Sequence, residues 1–316
     1  MLGWHPMARR HRPLETLAPR IEACPAPRPT PGARFSIVIP SWNNLPYLRL
    51  CVESIRRNSA MPHQVVVHVN DGSDGTLDWV RAQGLDHTHS ESNAGVCFAV
   101  NAAAALSTTD LVAYMNDDMY ACPGWDTALL EAAGRIGHER FMLSGTMIEP
   151  GGKTPGSIAP RDYGGDPETF RERDLLADLL ADAVSLRRAD WSGATSPPTL
   201  VHRRMWELVG GYSVEFSPGM GSDPDLSMKL WLAGVREFRG IGASRVYHFR
   251  HKTVGREIVL NDGGETFALK YGLPISYFLW EMLRWGRDHE GPLPDLPRGW
   301  RHRWARARAF RYRFKP

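Results

Sequence analysis

Phe35-Ser-Ile-Val-Ile-Pro-Ser-Trp-Asn43 is a short apolar run that meets a proline and then a polar turn. This is how a buried strand ends when it delivers its carboxyl end to a loop. A second run, Val65-Val-Val-His-Val69, stops at Asn70-Asp71-Gly72 in the same way. Between them, residues 45–57 place Leu48, Cys51, Val52 and Ile55 at helical spacing, so the opening reads β-α-β. Further on, the pattern predicts a helix over 93–106, a strand over 111–115 and another over 141–144. Strands alternating with helices imply an α/β fold with a mainly parallel central sheet, whose ligands gather at the strands' carboxyl ends.

The flanks are less regular. Residues 1–33 are rich in Pro and Arg, with Pro25, Pro27, Pro29 and Pro31 at alternate positions, and are expected to form an arm without regular ladders. After Pro150, Gly151, Gly152, Pro155, Gly156, Gly164, Gly165 and Pro167 mark a loop-rich insert. A helix over 168–186, a strand over 199–202, a helix over 225–233 and a strand ending at Tyr247 follow. No internal repeat is present. The organisation expected is an arm (1–33), a main domain (34–256, dividing near 120) and a helical, basic extension (257–316).

With 316 residues and 42% hydrophobic content, the chain can bury a substantial core. The balance of 38 Lys+Arg against 35 Asp+Glu is +3, so bulk charge calls for no nucleic-acid partner. Cys24, Cys51, Cys97 and Cys122 are widely spaced and read as reduced, packed thiols. No apolar stretch approaches the roughly 18 residues needed to span a bilayer, and the arginines near the start are followed by no leader-like segment. A cytoplasmic protein is the expectation.

Four motifs carry chemistry. Asn70-Asp71-Gly72-Ser73 sits just past a strand end, where a carboxylate can accept a hydrogen bond from a pyrimidine imide; alone it reads first as an ordinary Asp-Gly turn into a helix capped by Asp74. Asn116-Asp117-Asp118 places two adjacent carboxylates after a strand, an arrangement suited to a hard divalent ion shared with phosphates, or to a solvated acidic turn. In Ser222-Asp223-Pro224-Asp225, Asp225 can cap a following helix, whereas Asp223 is free to act as a general base. Finally, His248 ends an apolar strand, where an imidazole can join a metal shell; Arg250 and Arg256 nearby can grip a diphosphate.

In their order along the chain, these motifs join Asn93-Ala-Gly95, Asn101, Pro123-Gly124-Trp125 and Gly210-Gly211-Tyr212. From about residue 35 to 256, the ensemble resembles the family 2 glycosyltransferases. The resemblance implies a single A-type domain with a Rossmann-like sheet, and inverting transfer from a nucleoside diphosphate sugar, UDP- or dTDP-linked by preference, to an acceptor hydroxyl. It implies that Pro40, Ser41, Asn43, Asp71, Asn93 and Gly95 line the nucleotide pocket and that Asp117 lies near the ribose. Asp118 and His248 would hold Mn²⁺ or Mg²⁺, and Asp223 would deprotonate the acceptor. Asn70, Asn116 and Ser222 stand where acidic residues are usual in the family, which bears on base preference and metal geometry.

Thr195, Ser196, Trp191, His202, Arg203 and Asp225 are candidates for the acceptor side, although Trp191 and Trp206 fit a core equally well. Gly151-Gly152-Lys153-Thr154 lacks the first glycine of a phosphate loop, which argues against an NTPase. No G-x-G-x-x-G follows the first strand, which argues against a dinucleotide-dependent oxidoreductase. A binding or scaffold protein that kept the fold without turnover is the competing class. The acceptor class expected is a glycan, a lipid-linked sugar or a small molecule, in polysaccharide or glycoconjugate synthesis, and a dimer is compatible with the sequence. The aromatic run over 275–285 and the Arg- and Trp-rich tail predict either peripheral attachment to the anionic inner face of a membrane or packing on the core with a solvated tail.

Overall fold

Alternation within the strands splits the molecule into two cores on one sheet. The computed structural model describes residues 18–151, 156–250, 261–295 and 299–314. Its first half contains β1 (Glu22–Cys24), β2 (Ser36–Trp42), α1 (Leu45–Asn58), β3 (Gln64–Asn70), α2 (Thr76–Ala82), β4 (Asp86–Ser90), α3 (Val96–Ala104) and β5 (Leu111–Tyr114). The second half adds β6 (Met119–Ala121), α4 (Trp125–Ile136), β7 (Phe141–Glu149), β8 (Ile158–Pro160), α5 (Glu172–Leu180), β9 (Trp191–Ser192), β10 (Thr199–His202), α6 (Arg203–Val209), α7 (Ser222–Leu232) and β11 (Glu237–His248). α8 (Gly263–Tyr271), α9 (Ile275–Tyr277) and α10 (Trp300–Phe310) follow.

Among the described residues the strands form one sheet in the order β1-β4-β3-β2-β5-β10-β7-β11-β6, with β8 on β7 and β9 on β11. β4, β3, β2 and β5 run parallel, as do β7 and β11; β10 lies antiparallel between these two sets. Successive side chains of a strand point to opposite faces. Phe35, Ile37 and Ile39 therefore pack with Leu48, Cys51, Val52 and Ile55 of α1 and Trp125 and Leu129 of α4. Val38 and Val66 face the other way, onto Cys97, Val100 and Ala103 of α3. Both faces are covered, which is why these strands read as continuous apolar runs.

Several boundaries differ from the sequence expectation. β2 does not stop at Pro40 but continues to Trp42, paired with β3 throughout. The Met115 N–H donates to the Val38 carbonyl, so Val38 and, two residues on, Pro40 present their backbones to the β5 side. β5 pairs with β2 only as far as Val38, so the missing N–H of Pro40 breaks no ladder. The arm is not wholly irregular: β1 pairs antiparallel with β4. β4 itself escapes an apolar pattern because its buried face is a polar ladder, with His68 Nδ1 2.7 Å from Thr88 Oγ1 and its Nε2 3.2 Å from Ser90 Oγ. The helix expected over 168–186 is confined to α5, and Asp182, at φ +48°, turns the chain after it. α7 begins at Ser222, three residues before expectation, with Pro224 tolerated in its first turn.

The insert around Tyr163, Leu175 and Leu186 makes a third cluster with Tyr47, Tyr120, Tyr247 and Phe249. The end of the chain is also structured. Phe267, Leu273, Phe278, Met282, Leu283 and Leu293 are buried in the same core as α3 and α7. Most of the aromatic run over 275–285 is therefore core, and it leaves chiefly Trp280 exposed. The cysteines are free thiols, three of them buried.

Candidate active site

The open side of β2 beyond Val38 becomes one wall of a cavity of about 560 Å³ at the carboxyl ends of the parallel strands. Pro40, Ser41, Trp42 and Asn44 line it from the end of β2, Asn70 from β3, and Asn93, Gly95 and Val96 from the start of α3. Tyr114, Asn116, Asp117 and Asp118 come from the end of β5 and the turn beyond it. Pro218, Gly219, Met220, Ser222 and Asp223 come from the start of α7, with His248 and Arg250 from the end of β11. Segments more than a hundred residues apart thus meet at one site.

Gly95 explains how the halves are held together. It stands at φ +78°, and a Cβ there would fall 2.6 Å from Ser217 Oγ and 2.8 Å from Pro218 Cα. The loop before α7 rests directly on this glycine, and the Val96 N–H donates to the Pro218 carbonyl at 2.7 Å. Asn101 adds a second tie: its amide donates to the Tyr212 carbonyl and its oxygen accepts the Tyr212 N–H, both at 2.8 Å. The Asn-Ala-Gly and Gly-Gly-Tyr motifs are therefore joined to each other.

Asp223 lies in the first turn of α7, partly open to the cavity. The Tyr212 hydroxyl donates to its Oδ1 at 2.7 Å. Burial pushes the Asp223 carboxyl up to about 6, and the Tyr212 bond opposes this by stabilising the ionised form. Asp117 is pushed up to about 7, by burial first and then by the neighbouring Asp118, while the Ser41 and Asn44 side chains pull it back. The phenol of Tyr114, bonded to Asn116 Oδ1 at 2.9 Å, is raised well above its ordinary value by burial, then Asp223, Asp117 and Asp118. All three carboxylates thus act on one buried group.

His248 sits between two acids, with Nδ1 2.9 Å from Glu149 Oε2 and Nε2 3.4 Å from Asp118 Oδ2. Burial favours its neutral form, but the two carboxylates more than offset this and hold it up at about 9. Parallel register supplies the geometry: Tyr247 of β11 aligns with Ile148 of β7, so His248 and Glu149 follow side by side. Glu149 holds the ring so that Nε2 points at Asp118 Oδ2. Among the described residues no three such groups converge to enclose an ion by themselves. Asp118 and His248 are an oxygen and a nitrogen donor of the kind a divalent ion takes together with phosphate oxygens and water, and the imidazole must shed its proton to serve as one.

Not every candidate reaches the cavity. Asn43 and Asp71, both in the left-handed region, lie one residue outside the lining and bond to each other, Asn43 Nδ2 donating to Asp71 Oδ2 at 2.8 Å. Trp191 is core: it covers Gly240 of β11 and its Nε1 reaches only Thr146 Oγ1. Thr195 is buried against Ser227 Oγ at 2.9 Å. Asp225 is fully buried and accepts from Lys270 Nζ at 2.8 Å and from the Tyr271 hydroxyl at 2.6 Å, which fastens α8 to α7. It is therefore neither a helix cap nor an acceptor contact. His202 pairs with Leu111, at the start of β5, so it and Arg203 lie at the end of the strands away from the cavity. Arg256 lies outside the described residues. Glu149, Tyr212 and Tyr114 carry no mark of their roles in the sequence, because nothing local names the distant partner of an acid or a phenol.

Residues 36–179 match the family described as Glycosyl transferase family 2. That span holds Asp117 and Asp118 but ends before Asp223 and His248. Among solved structures, S. aureus TarS 1-349 in complex with UDP-GlcNAc aligns with a TM-score of 0.51 and 16% identity, over 75% of this chain and 65% of that one. GalNAc-T7 with UDP, GalNAc and Mn²⁺ aligns with a TM-score of 0.50 and 15% identity, over 74% of this chain and 45% of that one. At these identities the likeness is one of fold, and the chain spans less than two thirds of either protein. No curated protein matches the sequence.

Proposed function

We propose that this chain, whose residues 36–179 match glycosyl transferase family 2 and whose fold has the A-type layout, transfers a sugar from a nucleoside diphosphate donor to an acceptor hydroxyl with inversion. The observation that carries this reading is that Asp117, Asp118, Asp223 and His248 line one cavity although they come from different elements. A UDP- or dTDP-sugar is the favoured donor, in keeping with the uridine nucleotides bound in the two structural neighbours.

In this reading the nucleotide lies along Pro40, Ser41, Asn70, Asn93 and Gly95, with Asn43 and Asp71 fixing the turn at its edge and Asp117 near the ribose. Asp118 and His248 Nε2 would hold Mn²⁺ or Mg²⁺, which when bound neutralises charge growing on the leaving diphosphate. Arg250, whose backbone adopts φ +53° at the cavity wall, adds positive charge for the same oxygens. Asp223 takes the proton from the acceptor hydroxyl as that oxygen attacks the anomeric carbon. Tyr212 occupies Oδ1 of Asp223, which leaves Oδ2 as the proton acceptor. One base on the face opposite the leaving group gives inversion. The acceptor is a glycan, lipid-linked or small-molecule hydroxyl.

The test is thermal melting of the protein with a panel of nucleotide sugars, with and without Mn²⁺. A ligand that binds only the folded state raises the melting temperature, by RT ln(1 + [L]/Kd) in free energy. The reading expects a shift with uridine or thymidine diphosphate sugars that grows with Mn²⁺ and shrinks in Asp118→Asn. No shift with any donor at millimolar concentration would overturn it.

A further inference from the structure

We propose that the outward face of α10 is a docking surface for an anionic lipid bilayer. α10 buries only one stripe: Ala305 and Ala309 are inside, in contact with α8 and the core. At 100° per residue, Trp300 and Trp304 lie on the opposite stripe, and both are far more exposed than a packed tryptophan, at 69% and 62%. Phe310 is 52% exposed on the flank, and Trp280 is 42% exposed beside Glu281, which pairs with Arg301. Large aromatics at successive turns of one outward stripe are unusual on a surface that meets only water.

The charges around them select the partner. Arg301, Arg303, Arg306 and Arg308 lie in α10 and Arg311 and Arg313 directly after it, with no acidic residue from 299 to 316. Arg301 lies 5.6 Å from the Trp300 ring centroid and Arg308 lies 5.9 Å from that of Trp304, so cationic heads border each indole. An indole with a flexible guanidinium beside it matches the boundary between acyl chains and phosphate headgroups, with the ring at the apolar level and the charge at the phosphate. Small buried residues and large exposed ones make this helix an inverted core helix, which a packed or merely solvated tail does not require. Charge complementarity points to acidic lipids rather than neutral ones. No described helix is long and apolar enough to cross a bilayer, so the contact is one of surface attachment. α10 rests on α8, whose first residue, Gly263, packs against the backbone of Met220, which lines the cavity.

The experiment is flotation of the full chain with phosphatidylglycerol–phosphatidylcholine vesicles and with pure phosphatidylcholine vesicles. Both Trp300→Ser/Trp304→Ser and Arg303→Gln/Arg308→Gln change exposed side chains, and unchanged thermal melting checks that they fold. Wild type is expected to float with the anionic vesicles alone, with recovery falling as salt rises, and each double variant is expected to partition about tenfold less. Equal recovery of wild type and both variants would overturn the proposal. So would capture by single-stranded RNA with vesicles left unbound, which would reassign the face to a nucleic acid. Neither outcome depends on glycosyl transfer, so the proposal can fail while the transferase reading stands.

Discussion

Asp223 has a carboxyl held at about 6 by burial, against an ordinary value of 3.8, and this single fact gives two opposed predictions. The folded state holds its proton more tightly than the unfolded chain does. The cost of ionising it is therefore absent below about pH 4, grows as pH rises through 6, and is complete above that. Asp223→Asn is expected to melt higher than wild type at pH 8, by about 1–3 kcal/mol, with no difference below pH 4. The same substitution is expected to cut transfer about 10²–10⁴-fold, the usual contribution of a positioned base. Tyr212→Phe separates positioning from packing: without the donated hydrogen bond the carboxyl titrates higher, so the acid limb of kcat/KM moves to higher pH. A Tyr212→Phe enzyme with an unshifted pH profile would deny Tyr212 that role. At this scale the sequence exposed Asp117, Asp118 and Asp223, because carboxylates beside strand ends and glycines stand out from their surroundings. Asp225 looked similar and is structural. What distinguishes it is Lys270 and Tyr271, forty-five residues away, and no local pattern carries that information.

Among the elements, the parallel strands and α1 were legible because both periods, two and 3.6, were written in apolar residues. β4 was not, since a His-Thr-Ser ladder replaces hydrophobic burial. The edges of α7 and α5 were misplaced because turns at Gly221 and Asp182 depend on backbone conformation rather than on pattern. Register also hides partners: β7 and β11 place Glu149 beside His248, and neither strand alone announces it. Glu149→Gln is expected to weaken Mn²⁺ binding by about 10–100-fold, as loss of a carboxylate behind a ligating imidazole commonly does, measured by calorimetry. Gly95→Ala tests the seam between the halves. A methyl at φ +78° and 2.8 Å from Pro218 Cα has no room, so a loss of about 2 kcal/mol or more is expected in chemical denaturation. A neutral Gly95→Ala would mean that the α7 loop does not rest on α3.

For the whole molecule, the +3 balance and apolar content indicated a globular protein but not where the last sixty residues lie. Phe267, Leu273, Phe278, Met282 and Leu283 belong to the same core as the site-bearing helices. At about 2 kcal/mol per buried side chain their loss is on the order of 10 kcal/mol, comparable with the entire stability of a domain. A chain ending at residue 260 is therefore expected to lose cooperative melting, which circular dichroism would detect. The central claim is that residues from both halves and the final strand serve one donor, one ion and one proton. It is tested most directly by nucleoside diphosphate release from a bound nucleotide sugar, comparing wild type, Asp118→Asn and Asp223→Asn. Mn²⁺-dependent release by wild type, with Asp223→Asn still binding donor yet releasing at least a hundredfold less, is the predicted result. Release at the wild-type rate in Asp223→Asn would contradict the account.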